Sequence, residues 1–262
     1  MIDVFGITPE RFETFLLVLI RVTTMLSVLP VFSAAQIPRL ARVGIGMVIT
    51  FAVFQSIHSI LPLASLYDLI AAVISQMVLG LIFGFVAQLV FMGIQLAGEI
   101  LDIQIGFAVA NVFNPMTQQS ITVIGELELA LATLLFLVSD SHLLLLQGIG
   151  GSFNVLPLPY INLDPSVAGN IVIFFTMATM IVFKIAAPAA IALFITTVAL
   201  GLMARVAPQM NVFVVGFPLQ IGIGLIMLAV SVPLLGYVAP ELFREIPGQL
   251  DAVMRGMVPP TP

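Results

Sequence analysis

The sequence predicts an all-α protein of integral-membrane type, with about six long hydrophobic helices, some of them kinked or broken. Three observations carry that prediction. The 262 residues are 61% hydrophobic and only 8% charged, with a mean hydropathy of +1.22, whereas a soluble globular domain carries about 25% charged residues. The apolar residues gather into blocks of membrane-span length rather than short alternating stretches. Proline and arginine stand mainly outside those blocks. A chain with so little polar surface needs lipid, or a protein assembly that behaves like lipid, as its solvent. Ordinary cytosolic enzymes and polar binding proteins are poor readings.

The blocks follow in order. The first is Phe12–Leu29, interrupted by Arg21 and closed by Pro30. The second, Val43–Leu61, is bounded by Pro38 and Pro62. The third, Leu69–Gly98, exceeds the ~20 residues that cross a bilayer upright. The fourth is Ile124–Leu146. The fifth, Asn170–Met203, is again overlong and holds Pro188 near its middle. The sixth is Val212–Tyr237, with Pro218 and Pro233 near its ends. Overlong segments must tilt, kink or break. Lys184-Ile-Ala-Ala-Pro188 is the expected break in the fifth, because proline cannot donate to the Lys184 carbonyl. An ordinary proline kink packed against neighbours is the alternative. Gly80 and Gly84 form a GxxxG, and Gly222 and Gly224 lie near the start of the last block, so backbones could approach closely there.

Between blocks, Ser33–Arg42 is a short Pro/Arg loop, and Gln147–Gly169 reads as polar and turn-rich. Glu241–Pro262 reads as a tail that begins as a short amphipathic helix and then frays. Arg39, Arg42 and Arg205 fall in loops that share a side if there are six sequential crossings, which the positive-inside rule makes cytoplasmic. Arg244 and Arg255 count against that scheme. Asp3, Glu10 and Glu13 stand where a signal peptide would carry positive charge, so the first apolar segment is expected to persist in the mature chain.

Several chemistries are disfavoured. Eight dispersed basic residues and a net charge of −5 give no nucleic-acid footprint. There is no cysteine, hence no disulfide or thiolate metal site, and His58 and His142 have no ligand spacing around them. No GxSxG, P-loop, HExxH or strand-linked GxGxxG occurs, so no catalytic site and no cofactor are expected.

Four places could still carry function. The semi-apolar stretch from Gly98 to Ser120 lacks the charge of a solvated loop, and its Asn, Gln and Gly disfavour a clean helix. It reads either as a re-entrant loop or pore constriction, or as a packed interfacial loop. Glu99 and Asp102 share one helix face, which suggests proton or cation handling or, more simply, helix ends near water. Glu126 and Glu128 suit a helix N-terminus. Arg21 and Lys184 are charges inside apolar blocks, and structural ion pairing or subunit contact is the favoured reading for both.

The motifs together resemble the FliR family of flagellar biosynthetic proteins, to which the injectisome export-gate component SctT is related. They are Arg21 with Leu29-Pro-Val-Phe32, Ile37-Pro-Arg39 with Arg42, Gly98-Glu99, Gly106-Phe107 through Asn111-Val112-Phe113-Asn114-Pro115, Lys184 with Pro188, and Gly216-Phe-Pro218. The most specific stretch is Arg205-Val-Ala-Pro208-Gln209-Met-Asn211-Val-Phe213. The resemblance covers nearly the whole chain and looks like a stand-alone member rather than a fusion to an FlhB-type switch protein.

The resemblance implies a subunit of a hetero-oligomeric export gate for unfolded flagellar proteins, with FliP-like, FliQ-like and FlhB-like partners, in the bacterial inner membrane at the flagellar basal body. It implies a FliP-like part over residues 1–169, a FliQ-like hairpin over 170–240 and a tail over 241–262. Loop 106–120 would be the plug of the closed pore, through Gly106, Phe107, Val109, Asn111, Val112, Phe113, Asn114 and Pro115. Arg205, Pro208, Gln209 and Asn211 would form the hairpin tip toward the cytoplasmic entrance. A rival is a secondary solute transporter with a broken-helix site near Lys184–Pro188. A membrane enzyme using Glu99, Asp102 or His142 is the weaker one.

Overall fold

The computed structural model describes residues 9–34, 37–55, 57, 65–107, 122–159 and 166–257. Among them are eight helices and no strand: α1 (Pro9–Val28), α2 (Pro30–Ser33), α3 (Arg39–Phe54), α4 (Leu66–Ile105), α5 (Val123–Val138), α6 (Ser141–Val155), α7 (Ser166–Val206) and α8 (Val212–Met257). Three are long and apolar enough to cross a membrane: α4, α7 from Ile171 and α8 from Val214. The broken pair α5 and α6 makes a fourth if taken as one span. The orientation read from the arginines supposes six sequential crossings. The 16 residues of α3 reach about 24 Å, short of the ~30 Å hydrocarbon core, and α1 carries charge at Glu10, Arg11, Glu13 and Arg21.

Four boundaries differ from the sequence expectation. Helix α4 runs through Gly98 to Ile105, so the first part of the expected loop is helical. Helix α6 absorbs Gly150 and Gly151, and the turn-rich segment shrinks accordingly. The break in the fourth block falls at Asp140, which sits in the left-handed region at φ 55°, a conformation that Asp tolerates better than most residues. Helix α7 runs unbroken through Pro188. Pro188 and Lys184 both face outward, while Ile185, Ala186, Ala189 and Leu193 pack inward and hold the helix on either side of the ring.

The described residues fall into two compact units. The first comprises residues 1–89, 140–175 and 244–262. In it, Gly80 and Gly84 form the bare face that brings α4 onto α1. A Cβ on Gly80 would lie 2.6 Å from the Arg21 carbonyl oxygen, and one on Gly84 would lie 2.8 Å from Val28 Cβ. Helix α3 approaches α1 in the same way, with Gly46 against Thr23. The end of α8 also belongs here. Ile246, Leu250, Val253 and Met257 form a buried stripe at helical spacing, so the expected tail is helical and packed into a core as far as Met257, and residues 258–262 lie outside the described residues.

The second unit comprises residues 90–139 and 176–243. Phe91, Phe136 and Phe243 from α4, α5 and α8 form an aromatic cluster with ring centroids 5.0 to 5.3 Å apart. Gly93 lets α4 approach Ala178 and Ile181 on α7. A second core joins Leu101, Ile105, Ile124, Ala189 and Leu193, with Ile221 and Met227 of α8 against it. Outside these cores the long helices are strongly apolar and bare: only 17% of the most hydrophobic stretch of α8 is buried. Such a surface is stable only against lipid or other proteins.

Candidate functional site

The site is built around Asp102, in the last turn of α4. Its side chain is fully buried. Helix α5 begins with Thr122 at its N-cap position, but the Thr122 side chain makes no capping bond. Asp102 supplies what is missing from a different helix. The backbone N–H of Ile124 donates to Oδ1 and Oδ2 at 3.1 and 3.0 Å, and that of Gly125 donates to Oδ2 at 3.2 Å. These are the N2 and N3 donors that an N-cap ordinarily satisfies. A carboxylate there also meets the positive end of the helix dipole.

The backbone of the same residue closes α4. The N–H groups of Gly106 and Phe107 both donate to the Asp102 carbonyl, at 3.2 and 3.0 Å. Gly106 adopts φ 96°, which only glycine enters cheaply, and so ends the helix in a left-handed cap. Asp102 therefore ties down both ends of the segment between Phe107 and Thr122.

Two glycines make this geometry possible. Gly98 lies one turn before Asp102, and a Cβ on it would sit 2.7 Å from Gly125 Cα. A Cβ on Gly125 would sit 2.9 Å from Glu99 Cγ. The helices touch backbone to backbone, which brings the short Asp102 side chain within reach of the α5 amides. Glu99 lies beside Asp102 over Gly125, as their shared face predicts. Glu126 occupies the first turn of α5, where its charge also suits the dipole. Glu128 follows and is buried, with Oε2 lacking a hydrogen-bond partner among the described residues. No group of three potential metal ligands occurs among the described residues.

The chain matches the model of "Bacterial export proteins, family 1" over residues 12–246. It is 34% identical to the flagellar biosynthetic protein FliR of Bacillus subtilis (strain 168), over 89% of this chain and 92% of that protein. It is 33% identical to FliR of Escherichia coli (strain K12), over 87% of each chain. It is 30% identical to FliR of Aquifex aeolicus (strain VF5), over 91% of this chain and 93% of that one. The chain belongs to the FliR family of bacterial export proteins.

The other motif residues of this FliR-family chain fall in two further places. Arg205, in the last turn of α7, and Pro208, Gln209 and Asn211, in the turn that leads to α8, are all exposed. Ala207 N–H donates to the Met203 carbonyl and Val214 N–H to that of Asn211, so the turn closes one helix and opens the next. Gln220 donates to Thr197 Oγ1 at 3.1 Å across the two helices.

Arg21 is fully buried in the first unit, and its partners are neutral. Nε donates to Gln76 Oε1 at 2.7 Å, Nη1 to Ser152 Oγ at 3.0 Å and Nη2 to the Leu156 carbonyl at 3.1 Å. Its guanidinium carbon lies 4.0 Å from the centre of the Phe153 ring. Gln76 in turn donates to the Pro159 carbonyl at 2.9 Å. An acidic partner was expected, but the guanidinium fork is filled by groups on α4, α6 and the segment after it. Lys184 is exposed and makes no ion pair among the described residues.

Phe107 packs against the core that contains Asp102's neighbours. Val109, Asn111, Val112, Phe113, Asn114 and Pro115 lie outside the described residues. Sequence reasoning missed Gln76, Ser152 and Gly125. A buried arginine signals that acceptors must exist, but nothing in the local pattern says which ones.

Proposed function

We propose that this chain is a subunit of the flagellar type III protein export gate, in the bacterial inner membrane at the flagellar basal body. It assembles with FliP-like and FliQ-like subunits and an FlhB-like switch protein around a conduit for unfolded flagellar proteins. Residues 1–169 correspond to a FliP-like part, and 170–240 to a FliQ-like hairpin whose exposed tip, Arg205–Asn211, faces the cytoplasmic entrance. Segment 106–120 is the plug. Its role is to seal by bringing apolar side chains together in a narrow passage, which excludes water and ions without a covalent lock. The chain works as a structural and gating component rather than an enzyme, with energy supplied elsewhere in the apparatus.

The observation that carries this reading is the double tether at Asp102, in a chain that matches FliR proteins along most of its length. Asp102 holds the start of α5 through its carboxylate and the end of α4 through its carbonyl, so one residue fixes both helix ends that flank the segment. The bare apolar flanks of α7 and α8 also suit helices that are walled in by sister subunits. The solute-transporter reading loses its structural basis, because α7 is continuous through Pro188 and Lys184 points outward. Deleting Val109–Phe113 from the assembled gate is expected to leave export subunits in place and make cells leak ions. Unchanged membrane conductance in cells that accumulate the deleted chain normally would overturn the plug role.

A further inference from the structure

The first unit contains a cavity of about 270 Å³ lined by Thr23, Leu26 and Ser27 of α1, by Phe32 of α2, and by Arg39, Arg42, Val43 and Ile45 of α3. Its walls are mostly hydrocarbon, yet two of the chain's eight basic residues meet there. No acidic residue lines it, and neither arginine has an acidic partner among the described residues. Arg42 is half-buried and only partly satisfied. Its Nη2 donates to the carbonyls of Ser33, Ala34 and Ile37 at 3.2, 2.9 and 3.3 Å, while Nε is buried with no partner among the described residues. A guanidinium held in place by backbone dipoles, beside a second arginine and an apolar hollow, is a positive site without its counter-ion.

The hollow continues onto a bare face of α3. Leu40, Val43, Met47, Val48 and Phe51 are all exposed. From Leu40 to Phe51 the helix rises about 16 Å, close to the ~15 Å of one leaflet's hydrocarbon. The arginines stand at the start of that track. An occupant with a negative head and a hydrocarbon tail fits both halves at once, whereas a free anion fits only the first. We propose that this groove binds an anionic phospholipid, with its phosphate between Arg39 and Arg42 and one acyl chain along Leu26, Phe32 and Val43 and down the exposed side of α3. Basic pockets between membrane helices favour such headgroups where they face an anionic leaflet. This inference stands independently of the gate role.

The test uses the full chain purified in mild detergent, stripped of lipid and titrated with phosphatidylglycerol or phosphatidylcholine under native mass spectrometry. The wild type is expected to hold one phosphatidylglycerol with a preference over phosphatidylcholine of at least about fivefold. Arg39→Gln, at an exposed side chain, is expected to lower that preference about fivefold, the share of one arginine near an anionic headgroup. Ser27→Trp, which fills the hollow and leaves both arginines in place, is expected to abolish retention. These two variants keep the test open if Arg42→Gln destabilises the loop it braces. Equal retention of the two lipids by the wild type, or an unchanged preference in both variants, would overturn the proposal. So would displacement of the lipid by inorganic phosphate, which would mark a free-anion site instead.

Discussion

Arg21 and Asp102 are both fully buried charges in a chain that has few charges of any kind, and the structure satisfies them in opposite ways. Arg21 projects from the middle of α1 and collects acceptors from three separate places, 55 to 135 residues away in sequence. Asp102 sits at the end of α4 and spends its carboxylate on the first amides of one helix, 22 and 23 residues away. The first is a clamp whose loss exposes several unpaired groups at once. The second is a hinge pin: one residue orders two helix ends that lie close in sequence. The difference teaches that a buried charge in a lipid-like chain need not mark an ion path. It can equally be the means by which helices too similar in hydropathy to sort themselves acquire one register.

The largest effect expected from this contrast is at Arg21. Arg21→Met would leave Gln76 Oε1, Ser152 Oγ and the Leu156 carbonyl without their donor, at a cost of about 3–5 kcal/mol. Arg21→Lys would recover little, since an ammonium cannot present the same planar fork. Chain abundance in membranes and thermal unfolding in detergent would register the loss. A normal level of Arg21→Met chain would mean that the clamp is dispensable. Adding Gln76→Leu is expected to return part of the deficit, because an unpaired amide costs more than an absent one.

Asp102→Ala should cost less, about 2 kcal/mol, because it removes one cap. Its signature is local. Hydrogen exchange at Ile124 and Gly125 should accelerate while the aromatic cluster around Phe91 stays protected. Asp102→Asn, which can still accept from those amides, should lose only about 1 kcal/mol. If Asp102→Ala instead unfolded the chain as Arg21→Met does, the distinction between clamp and hinge pin would collapse.

How far these roles could be read from sequence differs in the same way. The apolar blocks became helices, because a run of apolar residues longer than about 18 has few other options. The face made by Gly80 and Gly84 was also legible, since both glycines follow from one helical spacing. The shared face of Glu99 and Asp102 was legible for the same reason. What Asp102 does was not, because its ligands belong to a helix that starts after a loop of unknown path. Composition also misled at the end of α4. Asn, Gln and Gly after Gly98 suggested early termination, yet the helix holds until Gly106 because tertiary contact at Gly98 and Ile105 outweighs weak local preference. The stripe Ile246, Leu250, Val253 and Met257 carried a clear helical period that the nearby prolines obscured.

Close approach at Gly98 offers the next test. Gly98→Ala places a methyl against the Gly125 backbone, which cannot move aside as a side chain could. Separating the two helices should cost about 1–3 kcal/mol and pull Asp102 off the α5 amides. The melting temperature should fall, and exchange at Ile124 should rise with it. Loss of stability without that rise would uncouple the glycine contact from the cap.

The smallest effect is also the most discriminating. Gly222 and Gly224 lie two residues apart on α8, so they point to different sides. A Cβ on Gly224 would run into the side chain of Ile105, at the end of α4, whereas among the described residues nothing lies within 4 Å of one on Gly222. Gly224→Ala should therefore cost about 1 kcal/mol, limited because the isoleucine tip can rotate. Gly222→Ala should stabilise the isolated chain by about 0.5–1 kcal/mol through helix propensity alone. Thermal unfolding in detergent compares the two directly. Motility then asks a different question of the same pair. If Gly222→Ala stabilises the chain but impairs export, the bare side of α8 at Gly222 must meet another subunit's backbone in the working assembly. If motility is untouched, that side faces lipid or solvent, and the walled-in arrangement has to be sought on α7 instead.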